Sequence, residues 1–194
     1  MTYSTYTSQM DWQVLGSFGG LSPTCRMTSF LINHELALDA GSIVQALSIE
    51  EQHEIRRIVL THSHLDHIAS IPFLVENTFS KLQAPLEIML TPQVLQTVKR
   101  HLFNNDTWPD FTRIPTDFPA LQLTQVKPRE PFEVHGLRLP AIPVHPTVPT
   151  QFSSIPMNLV LLHPESDGSL SKLSLETLAA TIALAQPFSV AVIG

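Results

Sequence analysis

Cysteine is almost absent from this chain of 194 residues: Cys25 is the only one, so no disulfide can form within the chain. Such a composition is typical of a reducing compartment. The polar segment Met1–Met10 lacks the basic and apolar regions of a secretory signal peptide. No uncharged apolar stretch is long enough to span a bilayer. We therefore expect a soluble, cytoplasmic protein with no membrane partner.

Positive charge is also scarce. The chain has 11 Lys and Arg against 17 Asp and Glu, which gives a net charge of −6 with histidine neutral. Nucleic-acid binders usually carry a basic face, so the composition argues against a nucleic-acid polymer as partner. A small anionic substrate remains compatible with it, because a bound metal ion can supply positive charge locally.

The remaining composition is that of a globular protein. Hydrophobic residues make up 43% of the chain and charged residues only 14%, which is enough apolar material for a core. We predict a flexible leader at Met1–Met10 and a single domain over residues 11–194. The domain is expected to mix strands and helices, because short apolar runs alternate with segments of helical spacing.

Local signals place most of the elements. Ser48 and Glu51 have the spacing of a capping box, and Thr91-Pro92 has the form of a helix start. Apolar residues keep helical spacing from Ile68 to Phe79, although Pro72 argues for a broken or late start of that helix. A further short helix is predicted at Ile43–Leu47, and a C-terminal one around Leu175–Ile182. Strands are predicted at Trp12–Leu15, Met27–Ile32, Leu36–Leu38, Arg57–Leu60, Leu86–Leu90, Leu121–Val126, Phe132–Val134, Leu137–Val144, Met157–Leu162 and Phe188–Ile193.

Three of the nine histidines fall within six residues, directly after the predicted strand Arg57–Leu60. His62 and His64 are two residues apart, so in an extended backbone both imidazoles project to one side and can bind one divalent ion. Asp66 and His67 follow at the turn into the next element, where they can face a second ion. Imidazole and carboxylate ligands suit Zn, Mn or Fe.

Two divalent ions about 3.5–4 Å apart can hold a bridging hydroxide and stabilise both the attacking and the leaving oxygen. Metal binding lowers the pKa of that water towards ~7, so no Ser or Cys nucleophile is needed, and no G-x-S-x-G motif is present. The alternative is that these are surface histidines of a loop. Solvation alone explains three His and an Asp in this spacing less well, so we predict a metallohydrolase with Asp66 as a ligand and the candidate catalytic residue.

The run His62-Ser-His-Leu-Asp-His67 matches the H-x-H-x-D-H motif of metallo-β-lactamase-fold hydrolases. Extended through Ile-Ala-Ser-Ile, it resembles the signature of class II 3′,5′-cyclic-nucleotide phosphodiesterases. The resemblance covers the chain from Val14 to Thr150. It is also carried by the stretches Val14–Gly20, Cys25–Ile32, Asp39–Gly41, His101–Asn104 and Trp108–Thr112.

The resemblance implies an α/β fold, a metallo-β-lactamase-like αββα four-layer sandwich whose second half is incomplete here. It implies hydrolysis of a small cyclic nucleotide, cAMP-like, to the 5′-monophosphate by metal-bound hydroxide, with two divalent ions, Zn foremost and Mn or Fe as alternatives. His62 and His64 would belong to the first ion, and Asp66 and His67 to the second. Asp39 would be a supporting residue near this loop, and a homodimer is compatible with the pattern.

The sequence departs from the family pattern at its distal ligands. In His145-Pro-Thr-Val-Pro149, Pro146 occupies the position of a further histidine ligand, and His145 is one residue early. His145 is a candidate ligand only if the strand end bends there. Asp167 is the nearby candidate for a bridging carboxylate, but Ser-Asp-Gly is also ordinary turn chemistry. A last histidine is not found before Gly194, so we expect the second ion to be held weakly.

Two alternatives therefore stay open beside the phosphodiesterase. One is another hydrolase of the same superfamily, acting on a thioester, a lactone or an RNA end, of which the acidic balance disfavours RNA. The other is a truncated, metal-poor family member that is inactive. Metal content and cAMP hydrolysis separate the three.

Overall fold

The computed structural model describes residues 11–128, 130–144, 151–154, 159–162 and 189–192. The helices of this part are α1 (Ile43–Ala46), α2 (Ile49–Gln52), α3 (Leu65–Ile68), α4 (Ile71–Thr78) and α5 (Pro92–His101), with a 3₁₀ turn at Phe79–Lys81. The strands are β1 (Trp12–Gly16), β2 (Ser29–Ile32), β3 (Leu36–Leu38), β4 (Arg57–Val59), β5 (Leu86–Leu90), β6 (Leu121–Gln125), β7 (Pro131–Val134), β8 (Leu137–Val144), β9 (Gln151–Ser154), β10 (Leu159–Leu162) and β11 (Ser189–Val192).

The described residues group into two compact units. The first contains the described residues up to Val59, together with His64–Ile88 and Asp110–Gln122. The second contains Leu60–Ser63, Met89–Pro109 and the described residues from Leu123 onward. The boundary falls inside the histidine-rich run, so His62 is described with the second unit, and His64, Asp66 and His67 with the first. The single domain over residues 11–194 stays a prediction, and its leader lies outside the described residues.

The largest sheet has the strand order β1-β2-β3-β4-β5-β6. Its first three strands form an antiparallel meander, and β4 runs parallel to β3 with Leu38 opposite Val59. The turn between β2 and β3 is tight because Asn33 and His34 both adopt left-handed conformations, with φ of 49° and 62°. The carboxyl ends of β3 and β4 therefore lie side by side, and Asp39 and the histidine-rich run follow from that edge.

The core of the first unit lies around the short apolar strands β2 and β3, whose residues are all buried. Leu36, Ala37 and Ile58 have no exposed surface, and the same is true of Ile43 on α1 and Ile71 on α4. Strands that are buried on both faces have continuous apolar sequences rather than alternating apolar and polar residues. These two strands thus anchor the segments that carry the candidate site.

Capping explains where two helices begin. At α2, the hydroxyl of Ser48 accepts a hydrogen bond from the amide of Glu51 at 3.2 Å, and the Glu51 carboxylate accepts one from the amide of Ser48 at 2.7 Å. Hydrogen bonds to the Glu51 carboxyl from the backbone amide of Ser48 and, to a smaller extent, from the Ser48 side chain lower the pKa of Glu51. At α5, Thr91 is the N-cap and Pro92 the first helical residue. Both predicted helix starts are confirmed.

Several predicted bounds are wrong. β2 begins at Ser29 rather than Met27, because the preceding residues leave the β1–β2 ladder. β4 ends at Val59, and the amide of Leu60 instead bonds the carbonyl of Met89 at 2.9 Å. β9, at Gln151–Ser154, was not predicted. The helix around Leu175–Ile182 lies outside the described residues.

The smaller sheets belong to the second unit. β7, β8 and β9 form an antiparallel sheet, and β10 pairs with β11 in parallel. In the same unit α5 buries Val94 and Val98. None of the helices in the described part combines the length and the apolar character that a membrane span requires.

Candidate metal site

The histidine-rich run begins directly after the buried end of β4. His62 is itself buried, with 8% of its surface exposed, and its Nδ1 lies 3.0 Å from the hydroxyl oxygen of Thr61. A histidine with this burial is held in place by the protein, which suits a ligand better than a solvated loop residue.

The second half of the run forms a helix of one turn, α3, rather than the turn expected from the sequence. His64 is its N-cap, with extended backbone angles of φ −67° and ψ 150°, and its side chain is exposed. The carbonyl of His64 accepts a hydrogen bond from the amide of His67 at 3.0 Å. Asp66 and His67 are thus fixed by helical geometry.

His67 lies between two carboxylates. Its Nδ1 is 2.8 Å from Oδ2 of Asp39, and its Nε2 is 3.4 Å from Oδ2 of Asp66. The side chains of Asp39, His67 and Asp66 are 4%, 15% and 23% exposed, so the pairing is largely shielded from solvent. The sequence predicts Asp39 as a supporting residue near this loop. In the structure Asp39 contacts Nδ1 of His67.

Asp39 reaches His67 because the chain turns sharply after β3. Asp39 has a φ of 56°, a left-handed conformation that aspartate adopts more readily than most residues. Its amide bonds the carbonyl of Val59 at 2.9 Å, which extends the β3–β4 pairing by one residue. The amide of Ala40 then bonds the carbonyl of His67 at 2.7 Å. These two hydrogen bonds, from successive residues, tie the turn to β4 and α3.

Gly41 and Ser70 stabilise the contact between the Asp39–Gly41 turn and α3. A Cβ atom at Gly41 would collide with the backbone carbonyl of Asp66, so only glycine lets the turn lie this close to α3. The buried hydroxyl of Ser70 donates to the carbonyl of Gly41 at 2.9 Å, and the Ser70 amide bonds the carbonyl of Ala40 at 2.8 Å. Asp39 and the Asp66–His67 pair are thus parts of one rigid arrangement.

The environment of His67 raises its pKa above the ordinary 6.5. Burial is the largest single influence and lowers the pKa, because a buried ring loses the hydration of its charged form. The hydrogen bond and charge of Asp39, with the charge of Asp66, together outweigh burial. In the metal-free protein His67 therefore holds its second proton to higher pH than a free histidine.

This shift predicts a pH dependence of stability. A raised folded pKa means that the protonated ring stabilises the folded metal-free protein fully below about pH 6.5, and that this contribution disappears as pH rises through the folded pKa. In chelator-treated protein, we expect the difference in unfolding free energy between wild type and His67→Asn to shrink from about pH 5.5 to about pH 8.5. Urea denaturation at several pH values measures it. A difference that grows with pH would contradict this assignment.

The donors around His67 fit a metal ion. Two ligands about 2.0–2.1 Å from a tetrahedral zinc ion lie about 3.4 Å apart, and the separation of His67 Nε2 and Asp66 Oδ2 is 3.4 Å. A ligating histidine typically gives its other ring N–H to a carboxylate, which is the place of Asp39. No group of three or more His, Cys, Asp or Glu that could hold an ion occurs within the described ranges. The roles of Asp66 and His67 as ligands stay predictions.

The other predicted ligands have different outcomes. His145 and Asp167 lie outside the described residues, and their roles stay predictions. The common ion of His62 and His64 likewise stays a prediction. The sequence did not predict Gly41 or Gly19 as site residues. Both lie close to Asp66, Gly41 against its backbone carbonyl and Gly19 beside its carboxylate. The pair Gly19-Gly20, in a sequence with only seven glycines, was the available signal.

Solved structures identify the fold. The chain is similar to unliganded yeast PDE1, with a TM-score of 0.61 and 17% identity over 94% of this chain and 74% of that one. It is similar to the metallo-beta-lactamase fold protein YhfI from Bacillus subtilis, with a TM-score of 0.58 and 17% identity over 81% and 65% of the two chains. A third match is Zn²⁺-bound PqqB from Methylobacterium extorquens, with a TM-score of 0.50 and 23% identity over 69% and 52%. The predicted metallo-β-lactamase-like fold is confirmed.

Sequence comparison identifies the family. The family model of class-II cAMP phosphodiesterases matches residues 20–160, and the chain belongs to this family. A 3′,5′-cyclic-nucleotide phosphodiesterase of Schizosaccharomyces pombe is 33% identical over 72 residues, which is 37% of this chain and 20% of the relative. One of Aliivibrio fischeri is 25% identical over 138 residues, 57% of this chain and 40% of the relative. The chain thus spans at most two fifths of the length of these curated relatives.

Proposed function

We propose that the protein is a metal-dependent phosphodiesterase that hydrolyses 3′,5′-cyclic nucleotides such as cAMP to 5′-monophosphates. The observation that carries the proposal is the position of His67 between Asp39 and Asp66, inside the segment that matches the class-II cAMP phosphodiesterase model. Family membership supports the substrate class, and the donor geometry supports the metal dependence.

In this proposal Asp66 and His67 hold one divalent ion, through Oδ2 and Nε2. His62 and His64 hold a second ion, and His145 is a further candidate ligand. Zinc is the first choice, because imidazole and carboxylate donors suit it and a relative of the same fold is Zn²⁺-bound PqqB. Manganese and iron are the alternatives. The single cysteine supports a cytoplasmic location for this activity.

In this proposal the residues of the site have different roles. When bound, the divalent ions lower the pKa of water and offset the negative charge of the phosphodiester. A carboxylate only accepts hydrogen bonds, so in this proposal Nδ1 of His67 donates to Asp39 and the ring is oriented with Nε2 towards Asp66. The rigid turn at Asp39–Gly41 keeps both groups in place during turnover. The negative charge of Asp66 repels an anionic substrate. The metal must offset this charge, so binding of an anionic substrate depends on the metal.

The proposal is tested with the purified chain, cAMP and a metal analysis. We expect 5′-AMP as the only product in ³¹P NMR, loss of turnover after chelation, and recovery on adding zinc or manganese. Full turnover in protein freed of metal would contradict the metal dependence. Formation of 3′-AMP would contradict the proposed bond cleavage.

A second candidate, a metal-poor family member without turnover, is favoured by Pro146 at the position of a histidine ligand. One equivalent of metal or less, with no hydrolysis of any ester, would support it. Two equivalents of metal without cAMP hydrolysis would instead support another hydrolase of the superfamily.

A further inference from the structure

Two adjacent glycines, Gly19 beside Asp66 and Gly20 after it, have no evident structural reason to be glycine. Within the described residues, Gly16 and Gly41 are required because a Cβ would collide with neighbouring backbone, and Gly136 is required by a φ of 74°. A Cβ at Gly19 would meet only Oδ2 of Asp66, at an ordinary 3.6 Å, and a Cβ at Gly20 would meet no described atom within 4 Å. Neither has a left-handed φ. The space beside Asp66 is thus left open by the sequence.

The loop that carries these glycines is held at its base and at its tip. The amides of Ser17 and Phe18 both bond the carbonyl of Arg26, at 3.1 and 3.0 Å. Near the tip, Ser22 and Cys25 exchange backbone hydrogen bonds of 2.9 and 3.3 Å. Glycine therefore does not serve loop flexibility here, because the backbone on either side is fixed.

Large apolar side chains flank this open space in the sequence. Phe18 and Leu21, on either side of the two glycines, are 52% and 56% exposed, and Leu65, next to Asp66, is 69% exposed. Single exposed apolar residues are common, but three that are next in sequence to the glycines or to the partly shielded Asp66–His67 pair match the usual composition of a ligand site, with apolar walls and few polar anchors. If Asp66 and His67 hold a divalent ion as proposed, a ligand with an anionic group and a flat apolar face would suit this composition.

We propose that Phe18–Leu21, the glycine loop, is the wall of the site on which the nucleotide lies. Gly19 and Gly20 give the sugar phosphate room beside Asp66, and the ring of Phe18 packs against the base. This inference rests on the proposed function and assigns its substrate contacts. Stacking on an aromatic ring is tolerant of base identity, so Phe18 sets affinity for nucleotides over base-free sugar phosphates rather than preference among bases.

The first test is Gly19→Ala in the zinc-loaded protein. The added methyl group meets nothing closer than 3.6 Å, so we expect the melting temperature to stay equal or rise. We expect the affinity for 5′-AMP, measured by calorimetry, to fall about tenfold, since one misplaced methyl group in a fitted site costs about that much. A merely structural role for Gly19 would instead lower the melting temperature and leave binding by the folded protein unchanged.

The second test is Phe18→Ala, measured with 5′-AMP and with ribose 5-phosphate, which lacks the base. We expect affinity for 5′-AMP to fall about tenfold or more, with ribose 5-phosphate unaffected and Phe18→Trp close to wild type. Phe118→Ala is the matched control, because Phe118 is an aromatic of the same unit with 40% exposure. It should bind both compounds as wild type does.

The outcomes separate this inference from the proposed function. Equal affinity of Phe18→Ala and Gly19→Ala with wild type for 5′-AMP would overturn the inference even if cAMP is hydrolysed. A wild-type chain that neither binds 5′-AMP nor hydrolyses cAMP would overturn both. Binding that depends on Phe18 without hydrolysis would uphold the inference and reject the activity.

Discussion

Replacing His67 by asparagine is expected to reduce cAMP hydrolysis by more than about 100-fold. This loss exceeds the roughly 10–100-fold that usually follows the loss of a residue that only hydrogen-bonds a metal ligand. The imidazole is proposed as a ligand through Nε2, and its Nδ1 is the contact of the buried Asp39 carboxylate. Asparagine removes both functions. Steady-state kinetics, with metal content by mass spectrometry on the same samples, measures the effect.

Two further variants make this result specific. Asp39→Asn keeps the size of the side chain but weakens the fixed orientation of His67, and we expect an intermediate loss of about 10–100-fold. His34→Asn, in an exposed hairpin turn where His34 faces Asp11, should leave activity unchanged. A His67→Asn protein with wild-type turnover and metal content would show that His67 is not a ligand.

Substituting alanine for Gly41 is expected to lower the free energy of unfolding by about 3 kcal/mol, the upper range for forcing an extra carbon into packed structure. The new Cβ would collide with the carbonyl of Asp66 and would also press on Cβ of Met27. Relief requires the Asp39–Gly41 turn to move away from α3, which breaks the contact that orients His67. Turnover should therefore fall together with stability, as followed by urea denaturation and kinetics.

Gly20→Ala is the control for the loss of stability, because no described atom lies within 4 Å of its added carbon. We expect its stability to change by less than about 1 kcal/mol. A Gly41→Ala protein as stable as Gly20→Ala would mean that the turn and α3 are not in the contact described.

Short-range sequence patterns predicted most of the helices and strands of the described residues. The capping box of Ser48 and Glu51 and the Thr91-Pro92 helix start were readable because their hydrogen bonds join residues three apart in sequence. The bounds of Leu86–Leu90 and Leu137–Val144 followed from apolar runs between turn residues. Gln151–Ser154 has no such run, and its strand is made by pairing with β8, which no local pattern reveals.

The candidate site was predictable as a set of residues but not as an arrangement. The spacing of His62, His64, Asp66 and His67 predicts the donors, because a metal site needs particular side chains close together, and their binding of metal stays a prediction. The contact of Asp39 with His67 joins residues 28 apart. The resemblance placed Asp39 near this loop as a supporting residue, but it did not indicate His67 as the partner. That α3 is helical, and that Gly41 must be glycine to lie against it, depends on tertiary packing and was missed.

The central claim, that His67 and Asp66 bind a divalent ion with Asp39 behind them, is tested most directly by crystals grown with zinc. An anomalous-difference map at the zinc edge should show a peak about 2.0–2.2 Å from both Nε2 of His67 and Oδ2 of Asp66, with Nδ1 of His67 still bonded to Asp39. Zinc bound only at other side chains, with Nε2 of His67 turned away from it, would contradict the account.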